Sequence, residues 1–144
     1  MKFLVLNGPN INMLGKREVG IYGKMNYQEL CEYIKESCTK LDVDVDIMQS
    51  NIEGELVTII QKADDSYDGI VINPAAYTHY SIAVLDAIKA IDKPVVEVHI
   101  SNIHKREEFR KKSITAEGCC GQIAGFGVYG YELGIMALLN LLRD

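Results

Sequence analysis

Two hydrophobic periods alternate along the chain. FLVL (3–6), VDVDIM (43–48), GIVI (69–72), PVVEVHI (94–100) and GQIAGF (121–126) are short β-rich runs, most of them too apolar for a strand with one wet face. Segments with helical spacing lie between them. NYQELCEYIKESCTKL (26–41) opens with Asn26 and Glu29 in capping-box spacing and carries Leu30, Ile34, Cys38 and Leu41 on one face. EGELVTIIQKADDS (53–66), SIAVLDAIKAI (81–91) and YGYELGIMALLNLL (129–142) repeat that pattern. Strict alternation of strand and helix leads to a parallel sheet whose right-handed crossovers lay helices on both faces. The expectation is an α/β, flavodoxin-like three-layer fold with a five-stranded parallel sheet, in a single domain over 1–144. With 144 residues, 48% of them hydrophobic, and only three prolines, the chain has material for one core and not two.

The net charge is −5 and the basic residues form no long block, which argues against nucleic acid or an anionic membrane as partner. A small molecule or a second copy of the chain is left. The opening MKFLVLNGPN has one lysine and an apolar run too short for a signal peptide or a membrane span, so a cytoplasmic protein is expected. Cys31, Cys38 and the adjacent Cys119 and Cys120 match no zinc or redox spacing. They read as reduced, mostly buried thiols.

In such a sheet, ligands bind beyond the carboxyl ends of the strands, and the residues there are unusually polar. NGPNINMLGKREVGIYG follows the first strand, NPAAYTHYS the third, EVHISNIHKREEFR closes the fourth and GFGVYG follows the fifth. Three crossings thus bring Asn7, Asn10, Arg17 and Tyr22, then Asn73 and His79, then Glu97, His99, Ser101 and Arg110 to one edge.

Other motifs compete for attention. GFGVYG (125–130) fits G-x-G-x-x-G between a strand and a helix, but the acidic ribose ligand due about 20 residues on is not in the sequence. Its glycines are read as turn and packing residues. NGPNINMLG lacks the Gly-Lys-Ser/Thr of a P-loop. Glu97, His99 and His104 have no standard zinc spacing, so no metal is expected. Glu97 and His99 are two apart on a strand and so share a face, where the acid would fix the tautomer of the imidazole and favour its charged form. Residue type leaves alternatives open elsewhere. Tyr22 fits a loop tyrosine covering an apolar edge, and Arg17 a solvated charge paired with Glu18. KREEFRKK (105–112) reads most simply as a charged helical surface, with Phe109 anchoring the turn and Arg106 or Arg110 turned to the site.

LNGPNINMLGKRE followed by YG, then QSNIEGEL (49–56), INPAAYTHYSIAVLDAI (72–88) and VEVHISNIHKREEFRKKS (96–113), resemble the type II 3-dehydroquinate dehydratases of the shikimate pathway. These blocks run in order over nearly the whole chain. The resemblance implies a flavodoxin-like fold, no cofactor, dodecamers built from four trimers, and loss of water from 3-dehydroquinate by anti elimination through an enolate. It assigns Tyr22 as the base, Arg17 as the transition-state arginine, His99 as the proton donor, Asn10 as holder of a water at the enolate oxygen, and Glu97 as the acid that orients His99. Substrate contacts would come from Asn73, His79, Ile100, Ser101 and Arg110, with Asp86 reaching in from a neighbouring subunit. Ala75 departs from the family, which more often has glycine there.

The residue types suit that chemistry. A tyrosine of ordinary pKa near 10 is about one part in a thousand ionised at pH 7, so its use as a base costs roughly 4 kcal/mol. A guanidinium at about 4 Å contributes roughly 4 kcal/mol at an effective dielectric of 20, before desolvation. The glycines of REVGIYG (17–23) suggest a lid over 16–25 that closes on substrate. The alternative function is a flavodoxin-like module that binds a small molecule or phosphate without chemistry.

Overall fold

The computed structural model describes residues 1–16 and 18–143. Five strands form one parallel sheet: β1 Lys2–Asn7, β2 Asp44–Gln49, β3 Gly69–Asn73, β4 Val95–His99 and β5 Gly121–Ala124, in the spatial order β2-β1-β3-β4-β5. The flavodoxin-like expectation is met. A four-residue helix, α1 (Val19–Tyr22), sits in the loop after β1 and was not anticipated. The longer helices are α2 (Tyr27–Lys40), α3 (Glu53–Ser66), α4 (Ile82–Ala90) and α5 (Tyr129–Leu142).

Alternation along the strands divides the core into two layers. Phe3, Val5, Val71, Val96 and Val98 face α2 and α5, while Leu4, Leu6, Ile70, Ile72 and Val95 face α3 and α4. β1, β3 and β4 are buried on both faces; β2 and β5, at the edges, are only partly covered. Asn26 caps α2 as its spacing suggested, its side chain accepting from the Glu29 N–H at 2.8 Å.

The strand order reverses between β1 and β3, and this is the switch point where such sheets hold ligands. Asn7 and Asn73 end these strands side by side. Beyond them the two loops are in contact: Gly8 N–H donates to the Asn73 carbonyl at 2.7 Å, and a Cβ on Gly8 would meet the Pro74 carbonyl oxygen at 2.5 Å. Gly125 and Gly127, from the glycine-rich motif, have positive φ in the turn between β5 and α5, which is the turn role expected of them.

The cysteines differ from expectation. All four are free, but only Cys38 is buried; Cys31 and Cys119 are intermediate and Cys120 is exposed just before the partly covered edge strand β5.

Candidate active site

A cavity opens at the switch point, lined from three strand ends and the loop after β1. Asn10, Tyr22, Asn73, His79, His99, Ile100, Ser101 and Arg110, all foreseen, line it. Arg17 lies outside the described residues. Asp86 does not line the cavity of this chain and is exposed on α4. Glu97 stands behind the wall, fully buried.

Glu97 is the most heavily hydrogen-bonded side chain of the site. Its Oε2 accepts from His99 Nε2 at 3.0 Å, Ser113 Oγ at 2.7 Å and Gln122 Nε2 at 2.7 Å. Its Oε1 accepts from Thr78 Oγ1 at 3.1 Å and from Thr115 Oγ1. Burial would raise the carboxyl, but the hydrogen bond and charge of His99, with the bonds from Thr115 and Gln122, outweigh it and hold Glu97 at about 2 against an ordinary 4.5. An ionised carboxylate only accepts. The His99 nitrogen facing it therefore carries the proton, and Nδ1 is the nitrogen left for chemistry. The period-2 placement of Glu97 and His99 on one strand anticipated this pair; the hydroxyl belt from Thr78, Ser113 and Thr115 was not anticipated.

His79 ends a 3-10 turn, Ala75–His79, and its Nδ1 bonds the Lys112 carbonyl at 2.7 Å. A carbonyl only accepts, so Nδ1 carries hydrogen. Burial first, then the neighbouring His99 and Arg110 charges, lower the His79 pKa against the pull of that carbonyl, which leaves a neutral imidazole. Asn10 has φ 69, a left-handed turn that asparagine tolerates, and its N–H donates to Asn51 Oδ1 at 3.0 Å.

Tyr22 is the last residue of α1, whose one turn is closed by N–H bonds from Ile21 and Tyr22 to the Glu18 carbonyl and ended by Gly23 at φ 82. Its hydroxyl accepts from Arg106 Nη1 at 2.6 Å, and the guanidinium carbon is 5.4 Å from the ring centre. The same guanidinium is 3.6 Å from Glu18 Oε2 and is nearly buried. Among the described residues, Arg106 is thus an arginine that meets the tyrosine. The segment around it is not the α-helix expected but two 3-10 turns, Ile103–Lys105 and Glu108–Arg110, so Arg106 and Arg110 both line the cavity. Phe109 is 66% exposed rather than buried as an anchor of the turn; the Arg110 guanidinium lies 5.0 Å from its ring and bonds Glu107 at 2.5 Å.

A family model described as Dehydroquinase class II matches residues 1–139. A 3-dehydroquinate dehydratase of Clostridium acetobutylicum is 62% identical over 142 residues, 99% of each chain. Among solved structures, the type II dehydroquinase of Butyrivibrio crossotus superposes with a TM-score of 0.94 at 50% identity, covering 96% of this chain and 97% of its own. That of Propionibacterium acnes gives 0.92 at 44% identity over 99% and 97%. Fold, switch-point cavity and full-length similarity agree, and the chain belongs to the class II dehydroquinase family.

Proposed function

We propose that the cavity carries out the family's reaction with Tyr22 as base and His99 as acid. The chain is a hydro-lyase that converts 3-dehydroquinate to 3-dehydroshikimate, a step of the shikimate pathway. The tyrosinate of Tyr22 takes a proton from the carbon next to the ketone, and the electron pair left behind forms an enolate. That pair then expels the hydroxyl as water with a proton from His99, leaving a conjugated enone. A later proton exchange with solvent resets both side chains.

The observation that carries this reading is the 2.6 Å hydrogen bond from Arg106 to the Tyr22 hydroxyl, in the same cavity as a histidine backed by an ionised Glu97. A guanidinium that donates to the phenol oxygen stabilises the anion the base must become, against a cost of roughly 4 kcal/mol at pH 7. Arg17 keeps the role its motif gives it. Asn10 holds the water at the enolate oxygen, and Asn73, neutral His79, Ile100, Ser101 and Arg110 bind the hydroxyls and carboxylate of the substrate. In this reading the loop 16–25 closes over substrate, carrying Tyr22 with it.

We further infer a dodecamer of four trimers in which Asp86 of a neighbouring copy completes each site. Asp86 is exposed on α4, whose first turn also exposes Ile82 at 64% next to Tyr80 at 62%, an apolar face suited to a second copy. A cytoplasmic setting is supported by four unpaired cysteines; no helix among the described residues is long and apolar enough to cross a membrane. The deciding assay is the ultraviolet absorbance of the enone on adding 3-dehydroquinate to pure, folded protein. Its absence would sink the reading.

A further inference from the structure

The side-chain amide of Asn73 is held on both sides. Its Oδ1 accepts from the Ala75 backbone N–H at 3.1 Å, and its Nδ2 donates to the Tyr131 hydroxyl at 2.8 Å. That hydroxyl donates in turn to Asn7 Oδ1 at 2.7 Å. Tyr131 is on the first turn of α5, 1% exposed, and does not line the cavity. It reaches the switch point because α5 lies close on the sheet: a Cβ on Gly134, three residues along, would meet the Val71 and Val98 side chains at 3.1 Å.

The direction of the chain of bonds is set at one end. A backbone N–H can only donate, so the Asn73 atom facing Ala75 has to be oxygen, which turns the nitrogen to Tyr131. Having accepted there, the Tyr131 oxygen has one hydrogen to give, and burial keeps the phenol protonated. The hydrogen goes to Asn7, whose facing atom also has to be oxygen. The nitrogen of Asn7 is thereby turned away, and it is buried without a hydrogen bond among the described residues. Burial pushes the nearby Tyr27 phenol up to about 12 and Asn7 offsets part of that push, but the two are not in hydrogen-bonding geometry. Reversing the chain would set the Asn73 amide hydrogens against the Ala75 N–H. The orphaned nitrogen follows from keeping Asn73 in one orientation.

We propose that Tyr131, with Asn7 behind it, is a positioning residue for substrate binding that acts through Asn73. The inference rests on Asn73 being a substrate contact, as proposed above. With one hydrogen given to Tyr131 and one lone pair taken by Ala75, Asn73 offers the ligand one donor and one acceptor in a fixed orientation. Loosening that amide weakens ground-state and transition-state binding alike, which raises KM and spares kcat.

A double-mutant cycle with 3-dehydroquinate tests this. Tyr131→Phe keeps the ring and loses the hydroxyl; KM is expected to rise about tenfold with kcat within about threefold. Asn73→Ala is expected to raise KM at least as much, and the double variant to be no worse than Asn73→Ala alone. An unchanged KM in Tyr131→Phe, a fall in kcat without a rise in KM, or effects that multiply in the double variant would overturn the proposal. An unchanged KM in Asn73→Ala overturns it too, by removing Asn73 from the site while leaving Tyr22 and His99 in place. Should Tyr131→Phe fail to fold, Asn7→Ala withdraws the acceptor at the far end; a smaller KM rise is expected, and none would count against the proposal.

Discussion

On the sheet side of the cavity, Glu97 is fully buried and accepts from five side chains, so His99 is oriented before any ligand arrives. On the loop side, Tyr22 stands at the end of a single helical turn, partly exposed, and meets Arg106 from a segment 84 residues away. The sheet side is built from strand ends whose backbone is fixed by the ladder. The loop side is built from short turns that depend on side-chain contacts. The division follows the chemistry: the acid's partner holds a constant charge, while the base has to become an anion and return to neutral in each turnover. A charge that never changes can be locked into the fold; one that comes and goes is met by a donor on a less constrained element.

The sharpest way to break this comparison is to remove the base. Tyr22→Phe is expected to lower kcat by about 10³-fold or more, within the range general bases contribute, with 3-dehydroquinate binding retained in calorimetry. Comparable enone formation by that variant would move the base to another group. Arg106→Leu comes next. Loss of the donor on the phenol oxygen is expected to lower kcat by about 10²-fold, and Arg106→Lys to recover part of it, because a lysine supplies charge without the fork that spans Tyr22 and Glu18. If both variants keep parental kcat in the enone assay, Arg106 is a structural ion pair only.

The sheet side is sharpened by acid. Glu97 is held at about 2 when folded against an ordinary 4.5, so its contribution to stability is whole above about 4.5 and is lost as pH falls toward 2. At roughly 1.4 kcal/mol per tenfold in proton affinity, that displacement amounts to about 3 kcal/mol. Urea unfolding between pH 5 and 2 should show the loss. Glu97→Gln, less stable than the parent at neutral pH, should be flatter over that window. A variant as steep as the parent would assign the acid sensitivity to other carboxylates.

The same division explains what could be read from the chain beforehand. α3 and α5 begin and end where the periodicity placed them, and the Glu97 and His99 pair follows from strand alternation, since these depend on neighbours in sequence. The rule that ligands bind at strand ends led to Asn10, Tyr22, Asn73, His79, His99, Ser101 and Arg110, which line one cavity. Arg106 was one of two candidates four residues apart, and nothing local separates them. Both line the cavity once the segment breaks into two 3-10 turns, and the contact of Arg106 with Tyr22 depends on a partner 84 residues away. The hydroxyl belt on Glu97 draws on Thr78, Ser113 and Thr115, ordinary polar residues whose role depends on the burial of the carboxylate they meet. Cys120 is exposed because β5 is an edge strand, a fact of sheet order and not of composition.

The smallest effect concerns Ala75, which joins the two sides. It lines the cavity, its N–H orients Asn73, and its φ of 52 places an alanine in the left-handed region. That conformation costs a residue with a Cβ roughly 1–2 kcal/mol, and glycine adopts it freely while losing more entropy on folding. Ala75→Gly also gives up a methyl packed against the core between the sheet and α5. Strain relief exceeds the other two by a modest margin, so a gain of about 0.5–1 kcal/mol and a rise of roughly 2–4 °C in the thermal midpoint are expected. The N–H that sets the polarity of the Asn73 chain is kept, so KM should move by no more than about twofold. A lower midpoint in calorimetry would mean that the methyl's packing outweighs the strain. A large KM change at unchanged midpoint would mean that the stiffness of the alanine backbone itself holds Asn73 in register.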